Sequence, residues 1–316
     1  MSVHAPAPLP RVSIVIPTFN RKRLLAEAIA SVLAQGEQDF ELIVVDDGST
    51  DGTAEDLATR HADEPRLRVV RQTNGGSGPA RNRGLAEARA PWTAFLDSDD
   101  LWDADYLERQ LAFAEAHPDA DLVIADLRLE GPWERDAATV FTRKAWRAPD
   151  SLDAMLEGAW ALPSSMLVRT EVARAVGFAS EFRHSEDTEF LFRFHAEGHR
   201  LEVHPAILGA WRRHGGEGGA AQKIEQASAM GSEHLLMFEK YARTTGRRRA
   251  VRRRIARLHA LLMVREGRWR EARPYLWTWW RLRPDSTRAL RYLVTSWVRG
   301  RKRPADATPD AAGRPS

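Results

Sequence analysis

The sequence predicts an α/β fold, a mostly parallel sheet flanked by helices, with an α-helical extension at its C-terminal end. Three observations carry that expectation. Short β-branched runs recur through the first half, amphipathic stretches of helical period separate them, and beyond residue 219 the chain turns into Arg- and Trp-rich helical sequence. Residues 12–16, ending at Pro17, read as a buried strand. Asn20 is placed to cap a helix whose apolar face is Leu24, Leu25, Ala28, Ile29, Val32 and Leu33. Residues 42–45 form a second buried strand, followed by a Gly/Ser/Asp turn and a helix from Thr53. Residues 67–70 read as a third strand and 79–88 as a helix; 92–96 make a fourth strand, 103–116 a helix and 122–129 a further strand. Residues 133–161, with Trp133, Trp146 and Trp160, look irregular, and 206–211 are strand-like after helical signal at 171–176 and 187–196. The expected organisation is a disordered start over 1–10, a catalytic domain over 11–218, a basic, Trp-rich helical region over 219–303 and a disordered tail over 304–316.

Bulk properties bound the function. A chain of 316 residues with 43% apolar content can build one large domain and an appendage. With no cysteine, disulfides, thiolate zinc sites and cysteine nucleophiles are excluded. The first 11 residues have no apolar segment resembling a secretion signal, and no apolar run is long enough to span a bilayer, so a cytoplasmic protein is expected. The net charge of +3 conceals an asymmetry: residues 1–242 hold 26 Lys/Arg against 39 Asp/Glu, and residues 243–303 hold 20 against 3. Blocks of this kind face an anionic partner or solvent.

The polar residues of interest follow the apolar strands directly. Asp46 and Asp47 close the second, and Asp97, Asp99 and Asp100 close the fourth, which puts both groups on one edge of a parallel sheet. Clustered carboxylates repel unless a cation sits among them, and oxygen-only ligands select hard ions such as Mg²⁺ or Mn²⁺. Asp-x-Asp recurs at 103/105 and 119/121, where capping and turn roles suffice, and those roles stay open for 97–100 on pattern alone.

Taken together, VSIVIPTFNR, ELIVVDDGSTDGT, NGGSGPARNRGL, FLDSDDLW and SEDTEFLFR resemble the inverting family 2 glycosyltransferases of the Rossmann-like GT-A fold, in that family's order across residues 11 to about 215. The resemblance implies a sugar-nucleotide donor, a UDP-sugar by default, and an acceptor hydroxyl on a glycan, a lipid-linked molecule or a protein, in cell-surface glycan or polysaccharide synthesis. It implies that Pro17, Thr18, Asn20, Asp46 and Asp47 line the nucleoside pocket, and that Gly75, Gly76 and Gly78 let backbone approach the nucleotide. Arg81 would then meet the diphosphate or base, with Asp97 at the ribose and the metal. Asp99, with Asp97 and Asp100, would hold Mn²⁺ or Mg²⁺. Asp187 would be the catalytic base beside Glu186; both also suit a helix start. Arg212, Arg213 and His214 follow the last strand, with His214 a candidate metal ligand, although Gly215 to Gly218 depart from the family's pattern there.

Two other classes compete with this reading. A dinucleotide-dependent oxidoreductase requires Gly-x-Gly-x-x-Gly after the first strand, where this chain has Pro17-Thr18-Phe19-Asn20. A non-catalytic nucleotide-sugar-binding or scaffold protein would have no need of intact DSDD and ED runs. For residues 243–303, arginines and tryptophans at helical spacing suit either peripheral docking on an anionic membrane or a helical cap or oligomer contact. Residues 267–284 carry one degenerate tetratricopeptide-like helix pair, and nucleic-acid binding is not expected without a recognition motif.

Overall fold

The computed structural model describes residues 9–131, 138–143, 146–212, 230, 232–234, 236–238, 240–241 and 248–299. Two compact units are present, Met1–Gly219 and Ala220–Ser316.

The first unit is an α/β domain on one sheet of order β3-β2-β1-β4-β7-β6-β8-β5. Strands β1 (Val12–Thr18), β2 (Phe40–Asp46), β3 (Leu67–Arg71) and β4 (Trp92–Phe95) run parallel. Every residue of β1 and β2 is buried, which is why their centres, Ile14 to Ile16 and Leu42 to Val45, read as apolar runs. Strand β7 (Met166–Arg169) is antiparallel to both β4 and β6 (Leu122–Glu130), and β8 (Leu201–Arg212) is parallel to β6. Two reversals restore the direction, so β8 ends on the same edge as β1, β2 and β4. The short β5 (Leu101–Trp102) pairs antiparallel with β8 at the outer edge. The expected mostly parallel sheet flanked by helices, with helices following it, is what forms.

The helices between the strands are α1 (Lys22–Leu33), α2 (Thr53–Arg60), α3 (Ser77–Glu87), α4 (Tyr106–Ala116), α5 (Leu152–Glu157), α6 (Thr170–Val176) and α7 (Glu186–Ala196). Helix α1 buries Leu25, Ala28, Ile29 and Val32 into a core shared with Ile14, Ile16, Leu42 and Val44. Helix α3 lies directly on β1. A Cβ at Gly84 would stand 2.3 Å from Val15 Cγ1, so only glycine permits that approach.

Several local expectations are corrected. Asn20 does not cap α1: the cap position is Arg21, and Asn20 takes a left-handed φ of 52°. Its Oδ1 accepts from Thr50 N (2.8 Å) while its own N–H donates to Ser49 Oγ (2.9 Å), so it ties the end of β1 to the turn after β2. The helix expected from 103 begins at Tyr106, because Leu101 and Trp102 join the sheet. The stretch expected to be irregular over 133–161 contains α5, capped by Ser151, whose Oγ accepts from Ala154 N. Trp133 and the Gly215 to Gly219 break lie outside the described residues, as do the expected disordered tails apart from 9 and 10.

The second unit contains α8 (Arg248–Arg265), α9 (Trp269–Leu282) and α10 (Thr287–Arg299). Its small core is Ala256, Ala260, Ala272, Leu276, Trp279 and Ala289.

Candidate functional site at the carboxyl edge of the sheet

Asp46 is the last residue of β2, paired across from Thr18 at the end of β1. Its carboxylate is fully buried in the turn, with Oδ1 accepting from Ser49 N at 2.9 Å, while Oδ2, 3.4 Å from Arg71 Nε, has no hydrogen-bond partner among the described residues. Asp47 N donates to Thr18 O, and the Asp47 carboxylate accepts from Gln72 Nε2 (2.8 Å), Gly75 N (2.9 Å) and Gly76 N (2.8 Å). This carboxylate therefore folds the glycine-rich entry to α3 back against β2. Thr18 Oγ1 is buried and has no hydrogen-bond partner among the described residues, the kind of orphaned group a ligand satisfies. Pro17 lies in β1, buried, opposite Val45.

Arg81, on α3, is the hub of the next layer. Its Nη1 donates to Glu186 Oε1 at 2.8 Å and its Nη2 to Asp97 Oδ1 at 2.5 Å. Ser77, at the start of α3, also donates to Glu186 Oε1, and the Arg81 guanidinium lies 5.4 Å from the Phe178 ring centroid. A Cβ at Gly78 would meet Glu186 Cβ and Cγ at 3.4 Å, ordinary van der Waals contact, which places this glycine directly beside Glu186. Two carboxylates hold the buried Arg81 firmly protonated. One cation thus joins residues 97 and 186, which a sequence reading can only suppose to be neighbours.

Asp187 follows on the first turn of α7. Its Oδ1 accepts from Thr188 N at 2.6 Å. Crowding by protein and the neighbouring Glu186 charge push its carboxyl up to about 7; Arg81 works against that rise and Asp97 adds to it. Asp187 therefore lies within the electrostatic reach of Arg81, Glu186 and Asp97. Helix α7 has no side-chain cap at Ser185, and Glu186, Asp187 and Glu189 in its first turn face the positive end of the helix.

The loop after β4 distributes its three aspartates differently. Asp97 and Asp99 are partly open, with side chains 27% and 22% exposed. Asp99 Oδ2 pairs with Arg21 Nη1 at 2.6 Å. Asp100 is buried, with Oδ1 accepting from Arg212 N (3.0 Å) and Oδ2 from Ser164 Oγ (2.5 Å). Burial and its two neighbouring aspartates raise the Asp100 carboxyl well above the carboxylate range. Arg212 also donates through Nε to Asp99 O (2.5 Å) and pairs with Glu27. Ser164 Oγ in turn accepts from Asp97 N at 3.1 Å. The loop is thus fastened from two sides, by the 3₁₀ turn Pro163–Ser165 and by the end of β8.

These oxygen donors suit a hard divalent ion held by one or two carboxylates and completed by phosphate oxygens. Asp97 and Asp99 are the more exposed of the three, and Asp100 has both oxygens engaged within the protein. Among the described residues no three acidic or histidine side chains form a cage for an ion by themselves. His214 and Arg213 lie outside the described residues.

Ser77, Arg21 and Ser164 were not singled out from the sequence. Arg21 stands inside VSIVIPTFNR but reads there as a helix-start residue. Ser164 belongs to no motif, and only the fold brings it against residues 97–100.

Residues 13–157 match the family model described as Glycosyl transferase family 2. ExoW of Rhizobium meliloti, a succinoglycan biosynthesis protein, is 44% identical over 101 residues, 31% of this chain and 32% of that protein. The aligned segments are only 17%, 42% and 17% of the lengths of three further relatives. TarS 1-349 of S. aureus, solved with UDP-GlcNAc, superposes with a TM-score of 0.62 at 18% identity, over 91% of this chain and 89% of that one. The mannosyltransferase PcManGT of Pyrobaculum calidifontis, solved with GDP-Man and Mn²⁺, superposes with a TM-score of 0.59 at 22% identity, over 93% of this chain and 87% of that one. At these identities the likeness is one of fold.

Proposed function

We propose that this chain moves a sugar from a nucleoside-diphosphate donor to an acceptor hydroxyl with inversion at the anomeric carbon, a reading supported by the match of residues 13–157 to the Glycosyl transferase family 2 model. The observation that carries the proposal is Asp187, a carboxylate raised to about 7 and next in the chain to Glu186, which accepts from the same Arg81 that holds Asp97. A base poised near neutrality accepts a proton efficiently and is still ionised above that pH. The acceptor oxygen forms a bond to the anomeric carbon, its proton passes to Asp187, and the bond to the diphosphate breaks with the electron pair leaving on phosphate. Attack opposite the leaving group inverts the configuration.

The remaining residues position the two reactants. Thr18, Asn20 and the Asp47-braced loop line the nucleoside side, with Pro17 and Asp46 holding the strand ends beneath it. Glu186 sets the field around Asp187 and orients Arg81, and Arg81 presents its charge toward the diphosphate when Asp97 turns to the ribose. Asp99 with Asp97 would hold Mn²⁺ or Mg²⁺, supported from beneath by Asp100; the bound ion supplies charge neutralisation on the leaving diphosphate. A UDP-sugar is the proposed donor, in keeping with the UDP-GlcNAc bound by the TarS structure. A glycan, lipid-linked or protein acceptor in cell-surface polysaccharide synthesis fits the role in ExoW's name.

The test is a panel of nucleotide sugars with and without Mn²⁺, reading melting temperature and release of nucleoside diphosphate. A matching donor raises the melting point, since it binds the native state, and is turned over with metal present. No stabilisation and no release across UDP-, GDP- and dTDP-sugars would overturn the proposal.

A further inference from the structure

Helix α10 shows three distinct faces. One is turned into its own unit, where Ala289 and Ser296 are buried and Tyr292 and Leu293 pack against the small core. A second is apolar and open to solvent: Leu290 is 44% exposed, Val294 58%, Trp297 56% and Val298 69%. Positions i, i+4, i+7 and i+8 fall on one stripe of a helix. The third, adjoining stripe carries Arg288, Arg291 and Arg299, all exposed. No Asp or Glu occurs anywhere in the helix.

Single exposed apolar residues are ordinary, but a continuous stripe of them marks a surface that meets something. The flanking charge says what. A second copy of this helix laid against the stripe would oppose arginine to arginine, with no carboxylate on α10 to relieve it. The surrounding sequence repeats the demand, with 20 Lys/Arg against 3 Asp/Glu over residues 243–303. Trp297 has an indole that is apolar on its faces and polar at its edge, and the Arg273 guanidinium lies 4.4 Å from its ring centroid. Trp277, also half exposed, lies one turn beyond Arg273 on the same side of α9. Tryptophan and arginine side by side along an aliphatic stripe match a boundary between acyl chains and phosphates.

We propose that this face of α10 docks flat on an anionic lipid bilayer, the apolar stripe entering the boundary between headgroups and acyl chains and the arginines meeting lipid phosphates. The binding is interfacial, since no helix among the described residues is long and apolar enough to cross a membrane. It does not rest on the glycosyl-transfer reading, because the stripe belongs to the second unit.

Flotation of the full chain with vesicles tests it. Phosphatidylcholine alone is compared with the same lipid containing about a third phosphatidylglycerol. The expected result is partition onto the anionic vesicles at least about tenfold stronger than onto neutral ones. The double variant Val294→Asp/Trp297→Ser should lose about tenfold of that partition, with its unfolding midpoint and its oligomeric state unchanged. Arg288→Gln/Arg291→Gln should lose a smaller factor, restored to parity with the wild type in high salt. Absence of binding by the wild-type chain overturns the proposal. So does undiminished binding by the stripe variant, or a stripe variant that changes oligomeric state while still floating. Donor turnover without vesicles should be the same in all variants, so a failure of the transferase reading is seen separately.

Discussion

Replacing Gly84 with alanine should loosen the sheet domain and weaken donor use together. In an open helix interior this change stabilises by about 0.5–1 kcal/mol. At Gly84 the new Cβ would stand 2.3 Å from Val15 Cγ1 and 2.9 Å from Cγ2. Carbon atoms rest at about 3.5–4.0 Å, so α3 must retreat from β1 by roughly an ångström or Val15 must leave its rotamer. Val15 is fully buried in β1, inside the sheet, and is β-branched, so neither movement is cheap. Overpacking of this kind costs about 1–3 kcal/mol, which outweighs the gain in helix propensity and leaves a net loss of about 1–2 kcal/mol. For a domain of this size the melting point falls by about 2–8 °C. Arg81 lies three residues earlier on the same helix, so its guanidinium moves relative to Asp97 and the KM for donor rises. The assay is a double-mutant cycle with Val15→Ala by denaturant unfolding. Val15→Ala removes both clashing methyls, and in that background Gly84→Ala should be neutral or stabilising, a coupling of about 1–3 kcal/mol. Additivity of the two changes within about 0.5 kcal/mol would refute the close approach and its bearing on Arg81.

Asp187→Asn should lower transfer by about 10²–10⁴-fold while donor affinity, read by calorimetry, is unchanged; a variant that turns over normally removes the base assignment. With the Asp187 carboxyl raised to about 7, kcat/KM should fall about tenfold per unit as pH drops below that value, and the limb should vanish in Asp187→Asn. The same shift has a sign for stability: the folded pKa exceeds an aspartate's ordinary value of 3.8, so this group's contribution is present below that value and is lost as pH climbs toward 7. Asp187→Asn should therefore gain thermal stability relative to the wild type between pH 4 and pH 7 (about one side of that window to the other), and a constant difference across it would contradict the raised pKa. Ser164→Ala leaves buried Asp100 Oδ2 without its donor and should cost about 1–3 kcal/mol in unfolding free energy, with a higher metal requirement for turnover; an unchanged midpoint would show the loop is fastened elsewhere.

Much of the fold is legible because its strongest signals are local. β1 and β2 are buried on both faces, and a strand so placed favours apolar, β-branched residues at most positions, with Ser13, Thr18, Glu41 and Asp46 as buried polar exceptions. The strands that escaped notice are β5, only two residues long, and β7, four residues between a turn and a helix. Both are antiparallel, and their membership of the sheet depends on partners far away in sequence. Asn20 departs from expectation for a related reason: Asn before an amphipathic run signals a cap, but the competing bond from Thr50 N, thirty residues on, takes its side chain.

By itself the sequence determined where the acidic groups gather, since residues directly after buried parallel strands lie at the carboxyl edge of the sheet. Tertiary structure alone decided what each charge does there. It buried Asp100 and spent it on Ser164 and Arg212, paired the partly exposed Asp99 with Arg21, and set Arg81 between Asp97 and Glu186. The physical reason is that exposure, pairing and pKa belong to the space around a carboxylate, and that space is filled by residues as much as 112 positions away along the chain.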